Sequence, residues 1–186
     1  MQSQKLLVLD LDETLLFADE KPIDRPHDHH VAPYFIYRRP YLEPFLAHVA
    51  KLFEIAVWTS SSPAYARAVC SHIFTEQTKP TFIWASDRCT PTRNVELDSW
   101  SSAKHLSKLK RRGYDLENVL VVDDSPEKHT KNYGNLVRVE PYFGSPADEE
   151  LRFLAAYLEH LASLPNVRQV EKRRWRHHFS TPATFP

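Results

Sequence analysis

The sequence predicts an α/β sandwich of three layers around a parallel central sheet. From residue 5 to residue 139, short apolar runs alternate with stretches of helical periodicity, the pattern of strand, crossover and strand. Two of those runs, Leu7-Val8-Leu9 and Val119-Leu120-Val121-Val122, pass directly into carboxylates: Asp10 and Asp12 after the first, Asp123 and Asp124 after the second. Right-handed crossovers would bring both acidic ends to one edge of the sheet, where open α/β sheets hold their ligands.

The elements follow in order. Leu7 to Leu9 reads as a buried strand, and in extended chain Asp10 and Asp12 share one side. From Phe17 to Pro40 four prolines exclude a continuous helix, so this stretch is expected as an ordered insert over the site, with a short strand between Val31 and Arg38. Its run His27-Asp28-His29-His30 reads as solvated loop, because adjacent residues seldom converge on one ion. Leu42, Phe45, Leu46, Val49, Leu52 and Phe53 fall at helical spacing and predict a helix over 41–53. A second buried strand, 54–58, ends in Thr59-Ser60-Ser61-Ser62-Pro63 before a helix over 64–73. A strand over 81–85, a polar loop over 86–99 and a helix over 101–111 come next, with Lys104 near that helix start, where a cation opposes the macrodipole. Strands over 118–122 and 136–139 and a helix over 147–162 complete the alternation. Beyond Pro165 the chain is basic, and 171–186 is expected as a frayed, solvated tail outside a domain spanning 1–170.

Composition narrows the function. With 186 residues and 42% hydrophobic content the chain suffices for one core. Lys plus Arg and Asp plus Glu number 24 each, so no global field favours nucleic acid or membrane, and binding of a polyanion must be local. The two cysteines, Cys70 and Cys89, lack the spacing of a zinc or redox pair and are expected reduced. No apolar leader follows Met1 and no run approaches a membrane span; the expectation is a soluble, unsecreted protein, cytoplasmic or, in a eukaryote, nuclear. Three glycines and no glycine-rich phosphate loop leave phosphate to side chains, helix N-termini and a metal.

Taken singly, each candidate has an ordinary reading: an acidic turn at a strand end, an N-cap at Thr59 to Ser62, a surface lysine at 104. Together they supply what phosphate-ester hydrolysis requires. Asp10 can attack phosphorus, and Asp12 can protonate the leaving oxygen and later deprotonate water. Asp124 can join Asp10 in holding Mg²⁺, Thr59 and Lys104 can bind the phosphoryl oxygens, and Asp123 can orient Lys104.

The motifs DLDETL, WTSS, Lys104 and VVDDSP resemble motifs I to IV of the haloacid dehalogenase (HAD) superfamily. With RRPYLEPFL, AKHLSKL, NLVRVEPYF and the DEELRFLAAYLEHL helix, residues 5 to 170 resemble its RNA polymerase II C-terminal-domain phosphatase branch, the FCP/SCP or NLI-interacting-factor-like group. The resemblance implies a HAD-like Rossmannoid sandwich with a small insert, 17–40, instead of a large cap. It implies Asp10 as nucleophile, Asp12 as acid and base, Thr59 and Lys104 as phosphate ligands, and Asp124 as the second Mg²⁺ carboxylate; Ser60, next in the hydroxyl run, is the further phosphate-binding candidate of this chain. The main-chain oxygen of Asp12 would complete the metal shell, and Thr14 would brace the loop. Ser60 stands where the branch often has alanine, and the loop 87–99, with Arg88 and Arg93 as candidate substrate contacts, departs from the branch's pattern.

The expected function is a Mg²⁺-dependent phosphomonoesterase acting through an aspartyl phosphate, with phosphoserine or phosphothreonine in an extended protein segment as favoured substrate. One alternative is a polynucleotide 3′-phosphatase gripping its strand with the KRRWR tail, Arg88 and Arg93. Another is a non-catalytic protein-docking module, whose signature would be loss of an acidic motif residue.

Overall fold

The computed structural model describes residues 4–94 and 99–185. Strand β1 (Lys5–Leu9) runs into the DLDET loop and a three-stranded antiparallel insert, β2 (Leu16–Asp19), β3 (His29–Val31) and β4 (Tyr34–Arg38), in the order β2-β4-β3. The insert therefore holds more strand than the single short one expected over 31–38. Helix α1 (Leu42–Val49) and strand β5 (Phe53–Trp58) follow, then α2 (Pro63–Ile73) and β6 (Ile83–Trp84). A hairpin of β7 (Thr90–Asn94) and β8 (Ser99–Ala103) leads through the short α3 (Ser107–Lys110) to β9 (Val119–Asp123) and β10 (Leu136–Arg138). Helices α4 (Glu150–Ala162) and α5 (Trp175–His178) close the chain.

Five parallel strands in the order β10-β9-β1-β5-β6 make the central sheet. The most apolar strands take the middle because both faces of a parallel sheet are covered. Leu7 lies between Ile55 and Leu120, and Leu9 between Val57 and Val122. One face packs Leu7, Leu9, Ile55, Val57, Leu120 and Val122 against α1, α2 and α4. The opposite face, with Leu6, Val8, Trp58, Val119 and Val121, is covered more thinly by Leu106, Leu109 and Trp84. The sandwich is real but lopsided.

Three boundaries differ from the sequence reading. Helix α1 stops at Val49, because residues 50–52 must turn for Phe53 to enter β5 opposite Lys5. Its last two apolar positions are helically spaced by coincidence. The segment read as loop and then helix is instead a hairpin: Thr90 pairs with Ala103 and Arg93 with Trp100, so cross-strand pairing overrides the helical spacing of Ser101 to Leu109. Residues 95–98 of the expected loop lie outside the described residues. The basic C-terminal segment is not frayed. Trp175 is 3% exposed, stacks on Tyr157 at 5.2 Å and donates from Nε1 to the Arg138 carbonyl at 2.6 Å. Lys172 is buried with its ammonium on the carbonyls of Gly134, Val167 and Val170, and the Ala183 amide donates to Arg152 O at 2.9 Å. Among the described residues no helix is long and apolar enough to cross a membrane.

Arg39, almost fully buried, ties the insert to the sheet edge. Its guanidinium donates to both carboxylate oxygens of Asp148 at 2.8 Å and to the carbonyls of Thr14 and Glu140 at 3.0 Å. Docking of the C-terminal segment is testable: Trp175→Ala should cost about 3 kcal/mol in urea unfolding, as for a buried aromatic, where a solvated tail would cost nothing measurable.

Candidate active site

The register of β1 against β5 and β9 decides which side chains meet. Leu9 is level with Val57 and Val122, so Asp10, one residue on, emerges beside Asp123, and Thr59 leaves the neighbouring strand one residue past that level. The Asp10 amide still belongs to the ladder, donating to Val122 O at 3.0 Å. Lys104 arrives from β8 rather than from a helix start. Its amide donates to Lys128 O at 2.9 Å and its carbonyl accepts from Asn132 Nδ2 at 2.9 Å, which anchors it to the loop after β9.

Lys104 has no exposed surface, and its Nζ lies 2.8 Å from Asp10 Oδ1 and 2.6 Å from Asp123 Oδ2. His129 Nε2 sits 2.8 Å from the same Asp123 oxygen, and the Ser125 amide donates to Asp123 Oδ1 at 2.9 Å. Burial works against both charges, but Lys104 and His129 hold Asp123 well below the usual carboxylate range, and the two aspartates raise Lys104. Asp10 goes the other way. Burial and the Asp123 charge push it up to about 7 against the pull of Lys104 and Lys128.

The cluster therefore lacks positive charge. Asp10, Asp123 and Asp124 each bring a carboxylate oxygen within 4.8 Å of the others. Asp124 is braced by Thr14: its amide donates to Thr14 Oγ1 at 3.2 Å, and that hydroxyl donates to Asp124 Oδ1 at 3.3 Å. Burial raises Asp124 as well. Three carboxylates against one ammonium, with only oxygen donors, fit a hard divalent cation. Glu13 beside them, at a positive φ of 56°, is pushed up to about 7 by burial, then by Asp12 and Asp124.

The expected metal set takes the carboxylates of Asp10 and Asp124 and the main-chain oxygen of Asp12. The Asp12 carboxylate lies outside the acidic cluster, since its oxygens are taken by Tyr65 Oη and Ser61 Oγ, each at 2.6 Å. Only its main-chain oxygen is left to serve a cation.

Thr59 follows β5 as expected, buried, with its Oγ1 accepting the Ser61 amide at 3.1 Å and its own amide donating to Trp84 O at 2.9 Å. Ser60 Oγ is buried with no hydrogen-bond partner among the described residues. Ser62 caps α2, its Oγ accepting the Tyr65 amide at 3.3 Å, and Pro63 occupies the first helical turn. A cleft of about 330 Å³ opens beside the strand ends, lined by Asp12, Glu13, Tyr34, Ser61 and Tyr65.

Arg88 is exposed, 3.5 Å from Asp87, in a groove with Lys108, Arg111 and Arg112. Ser86, in the same turn, donates its amide to Ser61 O at 2.9 Å, so this basic groove adjoins the phosphate-loop candidate. Arg93 is exposed on β7 opposite Trp100. Sequence reasoning missed Ser61, Tyr65 and His129 as site residues. Tyr65 carried one available signal, its place in the first turn of the helix opened by the hydroxyl run; His129 carried none, because only the turn after β9 aims it at Asp123.

A family model described as NLI interacting factor-like phosphatase matches residues 5–168. The chain belongs to that family. It is a HAD-type phosphatase domain, with the parallel central sheet of that fold. The CTD small phosphatase-like protein 2 of Dictyostelium discoideum is 31% identical over 169 residues, which is 87% of this chain and 28% of that protein. The CTD nuclear envelope phosphatase 1B of Danio rerio is 29% identical over 190 residues, 94% of this chain and 74% of its own length. The solved fission yeast RNA polymerase II CTD phosphatase Fcp1 bound to beryllium fluoride superposes with a TM-score of 0.56 at 22% identity, over 75% of this chain and 42% of that one. The chain thus spans only part of these relatives, about a quarter of the first and under half of the last.

The charge balance predicts a stability profile. Asp10 and Glu13, raised from 3.8 and 4.5 to about 7, keep protons in the fold that the unfolded chain has released. Where the folded state binds more protons, rising pH destabilises it, so these two groups lower the stability of the cation-free protein between about pH 4 and pH 7. Asp123 acts oppositely, its contribution being lost only on the acid side. Thermal melts should therefore show stabilisation by Mg²⁺ that is larger at pH 7.5 than at pH 5. At a hundredfold excess over Kd the gain should be about 2.7 kcal/mol. Asp124→Asn should shrink that shift.

Proposed function

We propose that this domain is a Mg²⁺-dependent phosphomonoester hydrolase working through an aspartyl phosphate on Asp10, with phosphoserine or phosphothreonine in an extended protein segment as its substrate. One observation carries the reading: the buried Lys104 ammonium 2.8 Å from Asp10, inside a cluster of three carboxylates at the C-terminal ends of parallel strands.

Asp10 Oδ attacks phosphorus as the bond to the leaving oxygen breaks, and Asp12 gives that oxygen its proton. Water then attacks the phosphoryl group, Asp12 takes the water's proton, and the Asp10 carboxylate is released. Lys104 keeps one Asp10 oxygen in place and offers positive charge to the phosphoryl oxygens. Thr59 and Ser60 are the neutral donors for the same oxygens, Ser60 with a hydroxyl not engaged elsewhere. Asp10, Asp124 and the main-chain oxygen of Asp12 would hold Mg²⁺, which when bound shields the nucleophile from the charge of the phosphate. Asp123 orients Lys104, and Thr14 braces Asp124.

The insert is three short strands, too little to close over the site, and this supports a macromolecular substrate. Arg88 in its basic groove is the better placed of the two arginines proposed for substrate contact. The nucleic-acid alternative keeps a reduced tail, since Lys172 is spent on carbonyls and Arg176 pairs with Glu150, while Arg173, paired with Glu171, and Arg174 stay exposed. The docking alternative lacks its signature, because Asp10, Asp12, Asp123 and Asp124 are all present.

Phosphate release with Mg²⁺ should occur from phosphoserine and phosphothreonine peptides and vanish in Asp10→Asn. Release only from 3′-phosphorylated oligonucleotides would transfer the function to nucleic-acid ends. No release from either would overturn the catalytic reading. Arg88→Glu should raise KM for acidic phosphopeptides several-fold while leaving kcat within about twofold, the behaviour of lost uniform binding.

A further inference from the structure

The Asp12 carboxylate is held from two sides by hydroxyls. Tyr65 Oη lies 2.6 Å from Oδ1 and Ser61 Oγ 2.6 Å from Oδ2. Neither holder is free to wander. Tyr65 sits in the first turn of α2, its amide on the Ser62 cap and its ring edge-on to Tyr34 of the insert, centroids 5.5 Å apart. Ser61 is pinned through its amide to Thr59 Oγ1 and through its carbonyl to the Ser86 amide.

A carboxyl at the end of an aspartate turns on a broad, roughly two-fold torsion. An acid and base that must serve one phosphorus atom in two successive steps requires a fixed plane, because misplacement of the proton donor costs rate steeply. It also has to change protonation state between the steps. The two hydroxyls differ in how they meet that demand. The Ser61 hydroxyl has a donor and two lone pairs on a freely turning rotor, so it can accept from a protonated Oδ2 and donate to an ionised one. Tyr65 donates its O–H to Oδ1 and, as a phenol, is a stronger donor and a weaker acceptor than the serine alcohol, so it favours donating to Oδ1 in both states.

We propose that Tyr65 and Ser61 are positioning residues for proton transfer by Asp12: Tyr65 keeps Oδ1 an acceptor, so that the travelling proton resides on Oδ2, and Ser61 follows the change of state. The inference rests on the proposed acid and base role of Asp12. It also gives the insert a part in the chemistry, since Tyr34 supports the ring that orients the carboxylate.

The leaving group separates this role from simple packing. A serine alkoxide must be protonated as it departs, whereas 4-nitrophenolate leaves without a proton. Because kcat/KM reports steps only up to departure of the leaving group, it isolates the half-reaction in which Asp12 acts as acid. Tyr65→Phe keeps the ring and Ser61→Ala removes one hydroxyl. Each should lower kcat/KM for a phosphoserine peptide by about tenfold or more, within the range general acids supply, and leave that for 4-nitrophenyl phosphate within about twofold. Ser61→Thr, which restores a hydroxyl, should recover most of the loss. Equal losses on both substrates would assign the hydroxyls a structural role and overturn the proposal, as would no loss on either. Wild-type protein inactive on both substrates would instead remove the acid and base reading of Asp12 on which the proposal stands.

Discussion

The buried ammonium of Lys104 is the constraint around which this domain is arranged. A lysine with no exposed surface is tolerable only when its charge is matched at hydrogen-bond distance, and here Asp10 and Asp123 match it from two adjacent strands. The match is deliberately incomplete on the Asp10 side. Asp123 also receives His129 and the Ser125 amide, so it is the stably ionised partner, while Asp10 keeps a carboxyl pushed upward in pKa and short of positive charge. A carboxylate that lacks one cation fits the roles proposed for Asp10, toward a metal and toward a phosphoryl group.

Everything nearby holds that arrangement in register. The parallel pairing of β1 with β5 and β9 sets Asp10 beside Asp123 and brings the Thr59 end of β5 to the same edge of the sheet. The β7–β8 hairpin delivers Lys104 and pins its backbone to the loop after β9. Arg39 bonds the Thr14 carbonyl, the Glu140 carbonyl and Asp148 together, so the motif loop, the exit from the sheet and the start of α4 move as one. The C-terminal segment then covers α4 through Trp175, which extends the core on the better-covered face of the sheet.

The site divides into two halves with different physics. On one side, buried charges at Asp10, Lys104 and Asp123, with the half-buried Asp124 beside them, interact strongly because little water screens them. On the other, Asp12 is held in a more open cleft by neutral hydroxyls on Ser61 and Tyr65. The division suits the proposed roles, Asp10 held for attack and Asp12 able to exchange a proton with solvent or substrate.

What the sequence by itself determined is local. Apolar runs ending in Asp10-Leu11-Asp12 and Asp123-Asp124, and a hydroxyl run before α2, are visible because strand burial and helix capping depend on neighbours in the chain. The sheet, its parallel sense and the gathering of Asp10, Asp123 and Asp124 at its strand ends could be read from them. Partnerships across the chain could not. Lys104 looked like a residue on a helix because Leu106 and Leu109 have helical spacing, yet pairing of residues 99–103 with 90–94 makes it the end of a strand. The C-terminal segment looked solvated because it is basic, yet Lys172 and Trp175 are buried by groups far away in sequence. The clamp on Asp12 and the aim of His129 at Asp123 were decided only by the tertiary structure, since a hydrogen bond between residues dozens apart, or across a turn, depends on where the backbone has been placed and leaves no periodicity to read.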